Sequence, residues 1–206
     1  MHNETFQNSE ITIDEYLVSD LAFDRLFPAH LSRHSHRHWT PIQVARRATR
    51  FLAVGKNAHI LDVGAGLGKF CMAGAFKAPR AQFTGVEQRD NLVKHGNRVI
   101  RQLGLPNAKL VKGDFRDMDF SEYTGVYFYN SFYENLDDEQ CQIDHDIERS
   151  VVLYHLYSDH LFQCLKSMRK GTRLVTYWSL ADEIPADYEL FETDFDGNLR
   201  CWIKNS

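Results

Sequence analysis

The stretch His59-Ile60-Leu61-Asp62-Val63-Gly64-Ala65-Gly66-Leu67-Gly68-Lys69-Phe70 changes its pattern partway along. Ile60, Leu61 and Val63 make the short, β-rich apolar run of a strand buried on both faces, and beyond Gly68 the apolar residues take helical spacing. Between the two, Gly64, Gly66 and Gly68 predict a tight turn. Glycine reaches positive φ without strain and leaves no Cβ between the main chain and a ligand, while the N–H groups that open the next helix point outward. Such a strand, turn and helix suits a nucleotide-like group; an ordinary strand-to-helix turn is the plainer alternative. The dinucleotide fingerprint G-x-G-x-x-G would need its third glycine where Lys69 stands, and here it comes one residue early, which weakens a pyrophosphate reading.

Working outward, a helix is predicted from about Lys69 to Lys77, stopped by Pro79, and then a second strand, Gln82 to Glu87. That strand finishes on an acid 21 residues after Gly66. A carboxylate at this point can accept hydrogen bonds from both hydroxyls of a ribose, so Glu87, followed by Gln88, is the candidate ribose ligand. A helix from Asp90 to Leu103 and a third strand, Ala108 to Val111, lead to the turn Gly113-Asp114-Phe115. Gly125 to Tyr133 reads as a fourth strand and the turn beyond it. Its aromatic crowding would ordinarily mean core, but the carboxyl ends of parallel strands are where open α/β sheets place their chemistry. A long helix from Val151 to Arg169, a fifth strand from Thr172 to Trp178, and a hairpin of Tyr188–Thr193 with Leu199–Lys204 complete the pattern.

Upstream, Ile11 to Phe27 predicts one or two short helices, with Thr12 and Glu15 as a capping box and Pro28 as the stop. His30, His34, His36 and His38 could share one face of an extended strand and hold a metal, yet Arg33 and Arg37 are interleaved and no carboxylate or cysteine accompanies them. A solvated or lid segment is preferred, and no metal is expected. Thr40 as N-cap and Pro41 in the first turn predict a helix running toward Gly55, with Arg46, Arg47 and Arg50 on a solvated face. Residues 1–55 are thus expected to form a helical cap or lid and residues 56–206 the core.

The 206 residues suit one compact domain, long enough to bury about 70% of the surface its unfolded chain exposes. No apolar run approaches the roughly 20 residues of a membrane span, and the first 30 residues hold acids and amides where a signal peptide would be apolar, so a cytoplasmic location is expected. Cys71, Cys141, Cys164 and Cys201 lack C-x-x-C spacing and are expected to be reduced thiols. A net charge of −4 argues against a dedicated nucleic-acid binder. Between Glu134 and Glu148 lie seven acids and no lysine or arginine. This run is either a solvated segment or an acidic rim that steers a lysine-bearing protein or a cationic small molecule.

Leu61, Asp62, Gly64, Gly66 and Gly68 together resemble motif I of the class I S-adenosylmethionine-dependent methyltransferases. The resemblance implies an α/β, Rossmann-like doubly wound sheet of seven strands with an antiparallel last strand. It also implies S-adenosylmethionine as cofactor and S-adenosylhomocysteine as product. Gly64, Ala65, Gly66 and Gly68 would then pass under the methionine part, Asp62 would lie near its ammonium group, and Asp114 and Phe115 would hold the adenine. By the same analogy the segment His38 to Pro41 lies near the methionine end.

Gly85-Val86-Glu87, Gly113-Asp114-Phe115 and Asn130-Ser131-Phe132, in this order after motif I, further resemble the non-SET lysine methyltransferases of the disruptor-of-telomeric-silencing family. Ser131 replaces an asparagine of that pattern. Adenine and glutamine N-methyltransferases share Asn130 and a later aromatic, but not the two prolines between them. The likeness implies transfer to an amine nitrogen such as a protein lysine. Asn130 would orient that nitrogen, and cofactor binding would also draw on it. Tyr129, Phe132 and Tyr133 would wall the methyl group. A small-molecule N- or O-methyltransferase and a non-catalytic cofactor-binding module are the alternatives. The acceptor's identity and the oligomeric state are beyond the sequence.

Overall fold

The structure is a computed structural model that describes residues 13–136, 147–179 and 183–206. The short helices α1 (Ile13–Tyr16), α2 (Asp20–Asp24), α3 (Ala29–Ser32) and α4 (Ser35–His38) precede α5 (Ile42–Leu52). Strands and helices then alternate as β1 (His59–Val63), α6 (Lys69–Lys77), β2 (Gln82–Glu87), α7 (Asp90–Gln102), β3 (Ala108–Lys112) and β4 (Gly125–Phe128). After α8 (Val151–Ser167) come β5 (Arg173–Tyr177), β6 (Tyr188–Asp194) and β7 (Leu199–Lys204).

The seven strands form one sheet in the order β3-β2-β1-β4-β5-β7-β6. The first five run parallel, and β7 pairs antiparallel with both β5 and β6. This is the sheet expected from the methyltransferase resemblance, and it reverses its winding between β1 and β4, the switch point where such sheets bind ligands. Two apolar layers cover it. One joins Phe23, Phe27 and Trp39 of the N-terminal helices to Val44 and Phe51 of α5, Phe70 of α6 and Val99 of α7. The other packs Tyr157, Leu161 and Leu165 of α8 against Leu61, Val126 and Leu174.

Several local expectations are corrected. Thr40 does not cap α5: its hydroxyl bonds the buried Tyr127 phenol at 3.1 Å, and the amide of Ile42 donates instead to Asp20 Oδ1 at 2.9 Å. That helix ends at Leu52, before Gly55. The histidine segment is helical, not extended, so its rings share no strand face. Nor is the arginine face of α5 merely solvated, since Arg47 pairs with Glu192 and Asp194 of β6, and Arg46 donates to the Leu17 carbonyl. On the outer edge, β6 carries an irregularity between Leu190 and Glu192 that turns the exposed Phe191 onto Phe51 at 5.7 Å. Cys71, Cys164 and Cys201 are free thiols. Thr12, Cys141 and most of the acidic run lie outside the described residues. Among the described residues no helix is long and apolar enough to cross a membrane.

Candidate active site

The turn after β1 uses its glycines for different reasons. Gly64, Gly66 and Gly68 all have positive φ, at 73°, 54° and 81°. A Cβ on Gly64 would come within 2.4 Å of the Ser131 side chain, and one on Gly68 within 2.8 Å of Leu110. Gly66 alone of the three faces open space. Ser131, the residue at the variant position of the lysine-methyltransferase pattern, donates to the Val63 carbonyl at 2.8 Å. The β4 turn is thereby locked onto the glycine turn.

Around this junction lies a cavity of about 910 Å³. Its size falls within the roughly 300–1,000 Å³ of small-molecule sites. Asp62, Gly64, Ala65, Gly66, Glu87 and Gln88 all line it. Glu87 is 6% exposed; its Oε2 accepts the Gly66 amide at 3.0 Å and its Oε1 the Arg89 amide at 2.9 Å. Burial lifts its carboxyl above the ordinary range, opposed by the Arg89 guanidinium. Asp62 is more deeply enclosed, with the Cys71 thiol its one donor among the described residues, at 3.6 Å, and burial pushes its carboxyl up to about 7. A carboxylate so placed is short of positive charge.

Gly113 and Phe115 reach the cavity, whereas the Asp114 side chain is turned to its own neighbour. It accepts from the Arg116 amide at 2.9 Å and from the Arg116 guanidinium at 2.7 Å. Burial raises its carboxyl, but these bonds outweigh that and hold it below the usual value. Phe132 stacks on Phe115 at 4.9 Å and packs by Tyr157, so it belongs to this end of the cavity as much as to the β4 turn.

Asn130, Tyr129 and Tyr133 line the cavity as well. Asn130 adopts a left-handed conformation, φ 35° and ψ 37°, directly past β4. The Tyr129 hydroxyl donates to the Arg37 carbonyl at 3.2 Å, tying β4 to the helical segment above, and burial pushes its phenol up to about 12. That segment roofs the cavity with His30, Arg33, His34, Arg37 and His38. Lys69, the first residue of α6, anchors it. Its buried ammonium pairs with Asp20 at 2.7 Å and Asp24 at 3.5 Å, over the rings of Phe23 and Trp39.

A family profile described as a methyltransferase domain matches residues 55–189, from just before β1 into β6. The chain belongs to that family. Among solved structures, this methyltransferase-domain chain is similar to an RNA methyltransferase of Salinibacter ruber in complex with S-adenosylhomocysteine. That likeness has 20% identity and a TM-score of 0.55, and covers 81% of this chain and 94% of the other. It is also similar to TrmN of Thermus thermophilus, with 15% identity and a TM-score of 0.60 over 84% of this chain and 52% of the other. At these identities the likeness is one of fold. No curated protein matches the chain in sequence.

The cavity of this methyltransferase fits S-adenosylmethionine, the cofactor of its class. Gly66 leaves room at the main chain, Asp62 offers a carboxylate in need of a cation, and Glu87 stands at the end of β2 with acceptor capacity for hydroxyls. Other lining residues have no local sequence signal. Arg89 forks onto Glu134 at 3.0 and 3.3 Å, closing the wall between β2 and β4. Tyr157 comes from α8, 69 residues from the Gln88 side chain that bonds it. Trp178 arrives from the end of β5.

Proposed function

We propose that this methyltransferase-domain protein transfers the methyl group of S-adenosylmethionine to an amine nitrogen, on a lysine side chain or on a small amine. The observation that carries the proposal is the position of Asn130. It lines the cavity one residue before Ser131, whose side chain is bonded to β1 and packed on Gly64. Its carbonyl oxygen can accept an N–H and aim a nitrogen lone pair at the methionine end of the cavity. In this reading Asp62 holds the ammonium group, Glu87 the ribose, and Gln88, Gly113 and Phe115 the adenine end, with Asp114 beside it. Tyr129 and Tyr133 wall the methyl group. Bound there, the cofactor supplies a methyl group already activated by its sulfonium, so alignment and exclusion of water are the protein's main tasks. Residues 13–55 act as the roof that excludes water.

Within this reading the roof favours a small amine. The helices α3 and α4 line the cavity, and Glu134, the described start of the acidic run, is engaged by Arg89. The motif likeness to the non-SET enzymes supports the lysine.

Incubating the protein and radiolabelled S-adenosylmethionine with lysate tests the proposal. Labelled protein bands identify a lysine-bearing acceptor, and an extractable labelled product a small amine. Cofactor retained without any transferred label would overturn catalysis and leave a binding module.

A further inference from the structure

Asn130 and Trp178 each stand two residues past the last register pair of neighbouring parallel strands, Phe128 with Thr176. Both are left-handed, with φ of 35° and 57°. An asparagine visits that region readily, but a bulky aromatic there is an outlier of the kind that persists where the surroundings enforce it. Here they do: the Trp178 amide donates to the Asn198 carbonyl at 3.0 Å, and the Arg200 guanidinium donates to the Ser179 carbonyl at 2.9 Å. Among the described residues, Trp178 is in neither apolar layer. Trp178 is 55% exposed, whereas Trp39 and Trp202 are each 7% exposed, and its ring meets Tyr177 only edge-on at 6.2 Å. Yet it lines the same cavity as Asn130, Tyr129 and Tyr133.

Resting on the methyl-transfer proposal above, we infer that Trp178 is a specificity-determining residue that stacks on a planar ring of the acceptor, the ring bearing the nitrogen to be methylated. An indole face takes either a flat ring or a cation. Protonation chooses the ring. An aliphatic amine arrives as an ammonium at neutral pH, whereas an amino group on an aromatic ring arrives unprotonated, its lone pair conjugated with the ring, and offers an N–H for Asn130 to accept. Such a ring can come from a free small molecule or from a base on an RNA strand.

Calorimetry on the full chain saturated with S-adenosylhomocysteine, using 4-aminobenzamide, cytidine, oligocytidylate and cyclohexylamine as probes, tests this. At least one planar probe should bind ten or more times tighter than cyclohexylamine. Trp178→Ala should weaken it at least tenfold, and Trp178→Phe should keep it within threefold. Preference for oligocytidylate over cytidine assigns the ring to RNA, and the reverse assigns it to a small molecule. Trp178→Gly is a second arm: it should lose the planar probe yet melt at a higher temperature, because glycine relieves the left-handed strain, whereas a packing role predicts a lower one. Planar probes that do not bind, that ignore Trp178→Ala, or that cyclohexylamine matches overturn the inference. Failure of S-adenosylhomocysteine itself to bind sinks the methyl-transfer reading instead.

Discussion

Glu87 Oε2 accepts the amide of Gly66 at 3.0 Å, so the acid that ends β2 and the open glycine of the β1 turn form one rigid corner of the cavity. The carboxylate is prepositioned before any hydroxyl reaches it. Glu87→Ala is expected to weaken S-adenosylhomocysteine by about 2–3 kcal/mol, on the order of 30- to 150-fold in Kd by calorimetry. A Kd within threefold of wild type would remove Glu87 from the ribose.

Gly64 and Gly66 should respond differently to one added methyl. Gly64→Ala combines left-handed strain with a clash against Ser131 and should cost on the order of 3 kcal/mol of stability. Gly66→Ala meets strain alone, about 1–2 kcal/mol, but its Cβ would enter the open space that the proposed function gives to the cofactor. Thermal melts should rank Gly64→Ala below Gly66→Ala, while both lose S-adenosylhomocysteine.

The buried Asp62 sets a pH dependence. Its carboxyl, at about 7 in the folded chain, lies above its ordinary value near 3.8. The folded state therefore prefers it protonated, and the stability this gives is complete below about pH 4 and lost as pH rises through 7. The melting temperature of the cofactor-free protein should fall between pH 5 and 8, Asp62→Asn should flatten that slope, and S-adenosylhomocysteine, by bringing an ammonium group, should bind tighter as pH rises. An unchanged slope in Asp62→Asn would exclude Asp62 as its source.

Asn130→Ala should reduce kcat on the order of 100-fold, the loss expected when an acceptor is misaligned by about an ångström, and leave cofactor Kd within threefold. Equal loss of both would instead make Asn130 a cofactor ligand alone.

Lys69→Met should detach the roof. Loss of a buried ammonium paired with Asp20 and Asp24 is expected to cost about 2 kcal/mol, discounted because Asp20 is 51% exposed, or about 4–8 °C in Tm. Limited proteolysis should then cut within residues 19–39 first, and S-adenosylhomocysteine should dissociate faster. Unaltered cleavage would show that Phe23 and Trp39 hold the roof without the charge.

The sheet and the corner formed by the glycine turn and Glu87 were legible because their signals are local. Ile60 to Gly68 carries an apolar run and a glycine turn, Gln82 to Glu87 an apolar run that ends on an acid, and the strand bounds at Gln82 and Glu87 agree with those read from the sequence. The contacts that hold the N-terminal helices, and the turn at Trp178, were not legible, for the opposite reason. The α5 cap comes from Asp20, 22 residues before the amide it accepts, so Thr40 offered a better local signal but was drawn to Tyr127. The left-handed turn at Trp178 is enforced by Asn198 and Arg200 across the sheet, and nothing in Tyr177-Trp178-Ser179 announces it. Asp114 was legible as a strand-end acid, but not its preference for Arg116.

The irregularity in β6 between Leu190 and Glu192 has a consequence beyond the cavity. A seven-stranded open sheet offers its unpaired margin as a template on which a neighbouring molecule's strand can grow. Here that margin is staggered by the irregularity, so an approaching backbone meets an uneven set of carbonyls and amides in place of a regular ladder. The same irregularity that brings Phe191 against Phe51 thus makes this margin a poorer template for an added strand.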